Sequence, residues 1–170
     1  MMKITAFLLL TLVAAHAAVT ETDLPGAVYL RDQSGNLTQL EQLKFRKIHE
    51  YGPEYGLTEQ WLLKGRRSRV RLDHSQKVDF VVKLPSGTDP ASFSLLVLKG
   101  NGSARWLQSD KSQKGEMRLA VPLNITTVGE SLYGLKPAVE LIDGEYAFWQ
   151  QNSKVLYGFG LGGEKHVKKH

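Results

Sequence analysis

Val78-Asp79-Phe80-Val81-Val82-Lys83-Leu84, a break at Pro85-Ser86-Gly87-Thr88-Asp89-Pro90, and a resumption at Phe93-Ser94-Leu95-Leu96-Val97-Leu98-Lys99 together decide the fold class. Each apolar run is seven residues long and rich in Val, Leu and Phe, and the break holds two prolines and a glycine. Runs of that length between turn residues suit strands, whereas helices need ten residues or more with a 3.6-residue period. The same rhythm continues on both sides. Ala27 to Leu30 and Leu37 to Leu40 flank Asp32-Gln33-Ser34-Gly35-Asn36, the layout of a hairpin with a glycine-containing loop. Leu43 to Ile48, Trp61 to Leu63 and Val70 to Leu72 are further short runs. Gly100-Asn101-Gly102-Ser103 makes a turn into Ala104 to Gln108. Met117 to Val121 alternates, and Glu145 to Trp149 with Val155 to Gly160 closes the series. No long stretch carries a helical period. The expectation is an all-β, antiparallel β-sandwich, immunoglobulin-like or similar, built as one domain over residues 18–161.

The first 17 residues read differently. Lys3 gives a positive start, Ile4 to Ala15 is apolar apart from Thr5 and Thr11, and Ala15-His16-Ala17 has the small-x-small form that signal peptidase accepts. A 12-residue apolar segment is about 18 Å long as a helix, too short for a bilayer core of about 30 Å. A cleaved signal peptide is expected, with cleavage after Ala17. The chain has no cysteine, although exported eukaryotic domains of this size are usually disulfide-bonded. Those two features place it outside the cytoplasm of a bacterium, in the periplasm or the extracellular space. The absence of cysteine also removes thiol catalysis and Cys-zinc sites. Three Asn-x-Ser/Thr triplets, at Asn36, Asn101 and Asn124, have the form of glycosylation acceptors, but turn-rich β sequences generate such triplets readily. Losing Lys3 takes the net charge from +5 to +4, a mildly basic chain. Residues 162–170, rich in glycine and lysine and carrying His166 and His170, read as a flexible basic tail.

Leu141-Ile142-Asp143-Gly144-Glu145-Tyr146 resembles the L-x-x-G-x-Y corner of immunoglobulin-like sandwiches. In that corner Gly144 would make the turn and the Tyr146 hydroxyl would reach back to the backbone. Taken with Leu84-Pro85-Ser86-Gly87-Thr88-Asp89-Pro90, Leu96 to Lys99, Leu141 to Phe148 and Tyr157-Gly158-Phe159-Gly160, it resembles a group of uncharacterised exported bacterial proteins with a carboxy-terminal β-sandwich. Asp143 departs from that pattern, where proline is usual. The resemblance covers about half of the chain and carries structural positions, not catalytic ones.

Gly65-Arg66-Arg67-Ser68-Arg69-Val70-Arg71 is the most concentrated charge. As a strand it would put Arg67, Arg69 and Arg71 on one face, able to grip a polyanion, with a solvated outer face as the plainer alternative. Tyr51 and Tyr55, in the near-repeat Glu50-Tyr51-Gly52-Pro53-Glu54-Tyr55-Gly56, and nearby Trp61 are candidate sugar-stacking rings. Trp106, Tyr146, Phe148, Tyr157 and Phe159 belong to strand patterns and are expected in the core. Asp73-His74-Ser75 spells a triad in letters only, because neighbouring strand residues point apart. No catalytic, metal or cofactor fingerprint appears, and no cofactor is expected. The leading expectation is a non-enzymatic cell-envelope binding or structural module whose partner is an envelope protein or an anionic polysaccharide. Its rivals are a carbohydrate-binding module using the exposed Tyr and Trp, and a hydrolase with a dispersed site.

Overall fold

The computed structural model describes residues 26–52, 56–76, 79–101, 103–109 and 120–162. Residues 1–17, read above as a signal peptide, Tyr55, Val78, Met117 to Leu119, and residues 163–170 with His166 and His170 lie outside the described residues. The chain forms β1 (Val28–Arg31), β2 (Leu37–Gln39), β3 (Glu41–Gly52), β4 (Gly56–Lys64), β5 (Arg71–Leu72), β6 (Asp79–Lys83), β7 (Phe93–Asn101), β8 (Ala104–Ser109), β9 (Ala120–Val121), β10 (Leu123–Gly129), β11 (Leu132–Pro137), β12 (Gly144–Gln150) and β13 (Val155–Leu161). Among the described residues the helical element is one 3₁₀ turn, Pro90–Ser92, capped by the Asp89 carboxylate. No helix among them is long and apolar enough to cross a membrane. The all-β expectation is met.

Among the described residues the strands form two sheets. One has five strands in the order β10-β11-β6-β1-β2, all neighbours antiparallel. Its β1–β2 hairpin has the expected loop. The Asp32 carboxylate accepts from the Ser34 and Asn36 backbone N–H groups and from the Asn36 side chain, each at 2.9 Å. The Asn36 side-chain bond leads in holding the Asp32 carboxyl below its ordinary range. The second sheet runs β12-β13-β3-β4-β8-β7, and β12 pairs again with β7. That pairing, Glu145 with Leu98 through Gln150 with Phe93, closes the sheet into a six-stranded barrel. The expected antiparallel all-β architecture is met, whereas the expected sandwich is not clearly formed, because one of the two sheets closes into this barrel. Closure removes two sheet edges that would otherwise be exposed.

The three strands β7, β12 and β13 are buried on both sides. Phe93, Leu95, Tyr146, Phe148, Phe159 and Leu161 pack outward with Val28, Phe80, Val82 and Leu135 of the five-stranded sheet. Leu96, Leu98, Ala147 and Leu156 point the other way, into the barrel, with Leu43, Trp61, Leu63 and Leu107. Side chains alternate along a strand, so one strand can feed two cores. The continuous apolar runs follow from this, because neither face meets water.

Tyr146 occupies the expected corner. It is 3 % exposed and its hydroxyl donates to the Ile142 carbonyl at 2.8 Å. Gly144 lies against its ring, where a Cβ would come 3.4 Å from Cε2. Burial pushes the Tyr146 phenol above its ordinary value. Its contribution to stability is therefore intact below about pH 10 and falls as pH rises toward the folded-state value. Tyr146→Phe is expected to cost about 0.5–1.5 kcal/mol at neutral pH, the worth of one hydrogen bond. A melting curve unchanged by the substitution would remove the corner bond from the account.

Candidate functional site

The barrel has two unlike ends and a filled waist. Leu63, Leu96, Leu107 and Leu156 are fully buried across its middle, so nothing passes through. At one end the inward positions are charged. Glu41 shares its face of β3 with Leu43, Arg105 shares its face of β8 with Leu107, and Glu145 shares its face of β12 with Ala147. Arg105 is 0 % exposed. Its Nη1 lies 3.5 Å from Glu145 Oε2 and its Nη2 lies 3.5 Å from Glu41 Oε2. It also donates to Ser68 Oγ, to the Gly65 carbonyl at 3.2 Å and to the Lys64 carbonyl at 3.4 Å.

The arginine-rich segment is what closes this end. Gly65, at φ +91°, takes the chain out of β4 in a conformation that favours glycine. Residues 65–70 then wrap over the barrel, and only Arg71–Leu72 is strand, parallel to β13. The Ser68 N–H donates to Glu145 Oε2 at 2.7 Å and the Arg69 N–H to Glu41 Oε2 at 3.1 Å. Arg71 turns inward to Glu145 Oε1 at 2.6 Å and to the Gly162 carbonyl at 2.7 Å. A Cβ at Gly160 would overlap the Arg71 guanidinium, which accounts for a glycine in Tyr157-Gly158-Phe159-Gly160. The expected row of Arg67, Arg69 and Arg71 does not form. The segment is a bend, because the Ser68 and Arg69 N–H groups go to the Glu145 and Glu41 carboxylates and not to a neighbouring strand. Arg71 is structural, and the Arg69 side chain stays 90 % exposed.

Arg67 and Arg69 instead border a groove of about 510 Å³ with Lys44, Lys64 and Glu41. A second depression of about 450 Å³ shares Lys44, Lys64 and Gly65 with it and adds Arg46. The groove is basic. The acid among its described residues, Glu41, meets Arg105, the Arg69 N–H and, at 3.9 Å from Oε1, the Arg69 guanidinium.

The opposite end is aromatic. Phe45 stacks on Trp61 with ring centres 4.3 Å apart and planes 7° apart, and Trp149 meets Trp61 edge-on at 5.1 Å. Lys47 Nζ lies 5.1 Å from the Trp61 ring centre and 3.0 Å from Glu59 Oε1. The Trp61 indole N–H donates to Glu59 and that of Trp149 to the Ser153 carbonyl. These rings line a half-open cleft of about 530 Å³ with Asn152, Ser153 and Lys154 at its rim. Trp61 is 4 % exposed and floors this cleft, so it is not the exposed platform expected from the sequence. Tyr51 pairs with Leu57 on the β3–β4 hairpin, beyond the stretch where β3 meets β13 and β4 meets β8. Trp106 is on the outer face with Lys99 over its ring, whereas Phe148 and Phe159 are fully buried. In Asp73-His74-Ser75, His74 Nε2 meets Asp143 Oδ1 at 2.6 Å and the Ser75 N–H bonds Asp73. That arrangement ties a surface turn to the corner. No family model, curated protein or solved structure matches the chain.

Proposed function

We propose that this chain is an exported, non-enzymatic binding module of the bacterial cell envelope that holds an anionic polysaccharide along the basic groove beside β3. Export rests on the signal-like segment 1–17 and the absence of cysteine. The observation that carries the partner chemistry is the grouping of Lys44, Lys64, Arg67 and Arg69 around one groove, against a single carboxylate among its described residues, Glu41, which Arg105 and Arg69 engage. Cations gathered on a concave surface raise the local potential and favour a polyanion over a neutral chain. The loop that carries two of them is anchored through its Ser68 and Arg69 N–H groups to Glu145 and Glu41, so its backbone needs no further ordering.

Replacing Arg67 and Arg69 with serine is expected to lower the salt concentration at which the protein leaves an immobilised anionic polysaccharide. The comparison is a variant with Lys99 and Lys136 changed to serine, which loses the same charge elsewhere. Exposed charges are screened beyond about 8 Å at physiological ionic strength, so a groove-bound chain should be salt-sensitive. Equal losses in the two variants would reduce the groove to a solvated face.

A further inference from the structure

The aromatic cleft lies at the other end of the barrel and has no part in the basic groove's chemistry. Its volume, about 530 Å³, falls in the range of small-ligand sites, as does its make-up of aromatic walls with a few polar groups. Three features narrow what it takes. The barrel waist below is packed with leucine, so a ligand lies across the mouth and does not thread inward. Both indole N–H groups are bonded within the protein and Trp61 is covered by Phe45 and Lys47, so the accessible wall is ring carbon of the half-buried Phe45 and Trp149. The charge is unequal: Lys47 is paired with Glu59, whereas Lys154, exposed on the rim, has no ionic partner among the described residues. Asn152 stands beside it in the β12–β13 turn, at φ +67°. A pyranose chair with an apolar C–H face and one carboxylate fits that layout. The half-open shape suits one unit of a longer chain running past the mouth.

We infer that the aromatic mouth seats a single hexuronate unit of an anionic polysaccharide, its ring on the aromatic wall and its carboxylate on Lys154. This rests on the polysaccharide reading above and assigns the unit recognised. Short oligogalacturonides titrated into the protein should change its tryptophan fluorescence saturably. Lys154→Gln should weaken that binding about tenfold or more, as expected for loss of a charge-assisted hydrogen bond, while the control Lys136→Gln leaves it unchanged. Lys154 is exposed, so the variant is expected to fold. Neutral cello-oligosaccharides should bind more weakly than the uronides. The inference falls if the neutral sugars bind as well, if naphthoate binds and the uronides do not, or if Lys154→Gln has no effect. It also falls if uronide binding is lost with the Arg67/Arg69 variant and kept with Lys154→Gln, which would move the ligand to the groove. If the polymer column still retains the protein while short uronides fail, the polysaccharide reading stands and this assignment does not. Loss of retention as well removes both.

Discussion

Arg105→Met is expected to lower stability by about 3–5 kcal/mol, because removing one member of a buried ion network leaves its partners uncompensated. Glu41 and Glu145 would each lose a guanidinium contact, and the Gly65 and Lys64 carbonyls would lose a donor. At about 3–5 °C per kcal/mol for a domain of this size, the melting temperature should fall by about 10 °C or more. Arg105→Lys is not expected to rescue it, since one ammonium cannot serve two carboxylates and two carbonyls on different strands. Adding Glu41→Gln to Arg105→Met should recover part of the loss, whereas adding Glu145→Gln should not, because Arg71 still pairs with Glu145 at 2.6 Å. A single Arg105→Met variant melting within about 2 °C of the parent would mean that this charged plug, Arg105 with Glu41 and Glu145, contributes little to the fold. The loop it anchors also presents Arg67 and Arg69, so the same variant should elute from an anionic polysaccharide at lower salt.

The plug was within reach of the sequence, and a parity rule would have found it. Arg105 falls on the same strand parity as Leu107, Glu145 on that of Ala147 and Trp149, and Glu41 on that of Leu43 and Phe45. One cation and two anions at inward positions of three strands signal a buried charged layer, because lone buried charges are too costly to persist. Reading the arginine cluster by itself as a strand face hid this, since the segment's path is set by partners 28 to 77 residues away. The strands themselves were legible wherever they serve a core. Phe93 to Lys99 and Glu145 to Trp149 were read as strands and are strands. The pair β10 and β11 was missed. β10 lies on a sheet edge, half-exposed, and its alternation breaks at an irregularity between Thr127 and Gly129. Closure of the barrel left no local trace, because the β7–β12 pairing joins positions about 50 residues apart. The tyrosine corner was legible because its bond spans only four residues.

Phe148→Ala is expected to cost about 3–5 kcal/mol, the usual loss for an aromatic ring removed from a packed interior. Phe148 is fully buried between the two sheets, edge-on to Phe80 at 4.9 Å and stacked with Phe159 at 5.9 Å. Its nearest counterpart inside the barrel is the fully buried Leu107, and Leu107→Ala should cost about 2–5 kcal/mol. The two substitutions touch different cores, so independent layers would lose stability in separate steps. That separation is not expected here. β7, β12 and β13 wall both cores at once, and neighbouring residues such as Ala147 and Phe148 pack into different ones. Loosening one core releases strands that the other needs. Both variants should therefore unfold in a single transition, at a lower denaturant midpoint, with a slope unchanged from the parent. Tryptophan fluorescence reports chiefly the barrel side, through Trp61 and Trp149, while far-UV circular dichroism reports all strands. The two signals should coincide in each variant. A Phe148→Ala protein whose circular dichroism changes well before its tryptophan signal would show the five-stranded sheet coming away from an intact barrel. The shared strands would then be a seam between two units, and the barrel with its aromatic mouth would be the part able to stand alone.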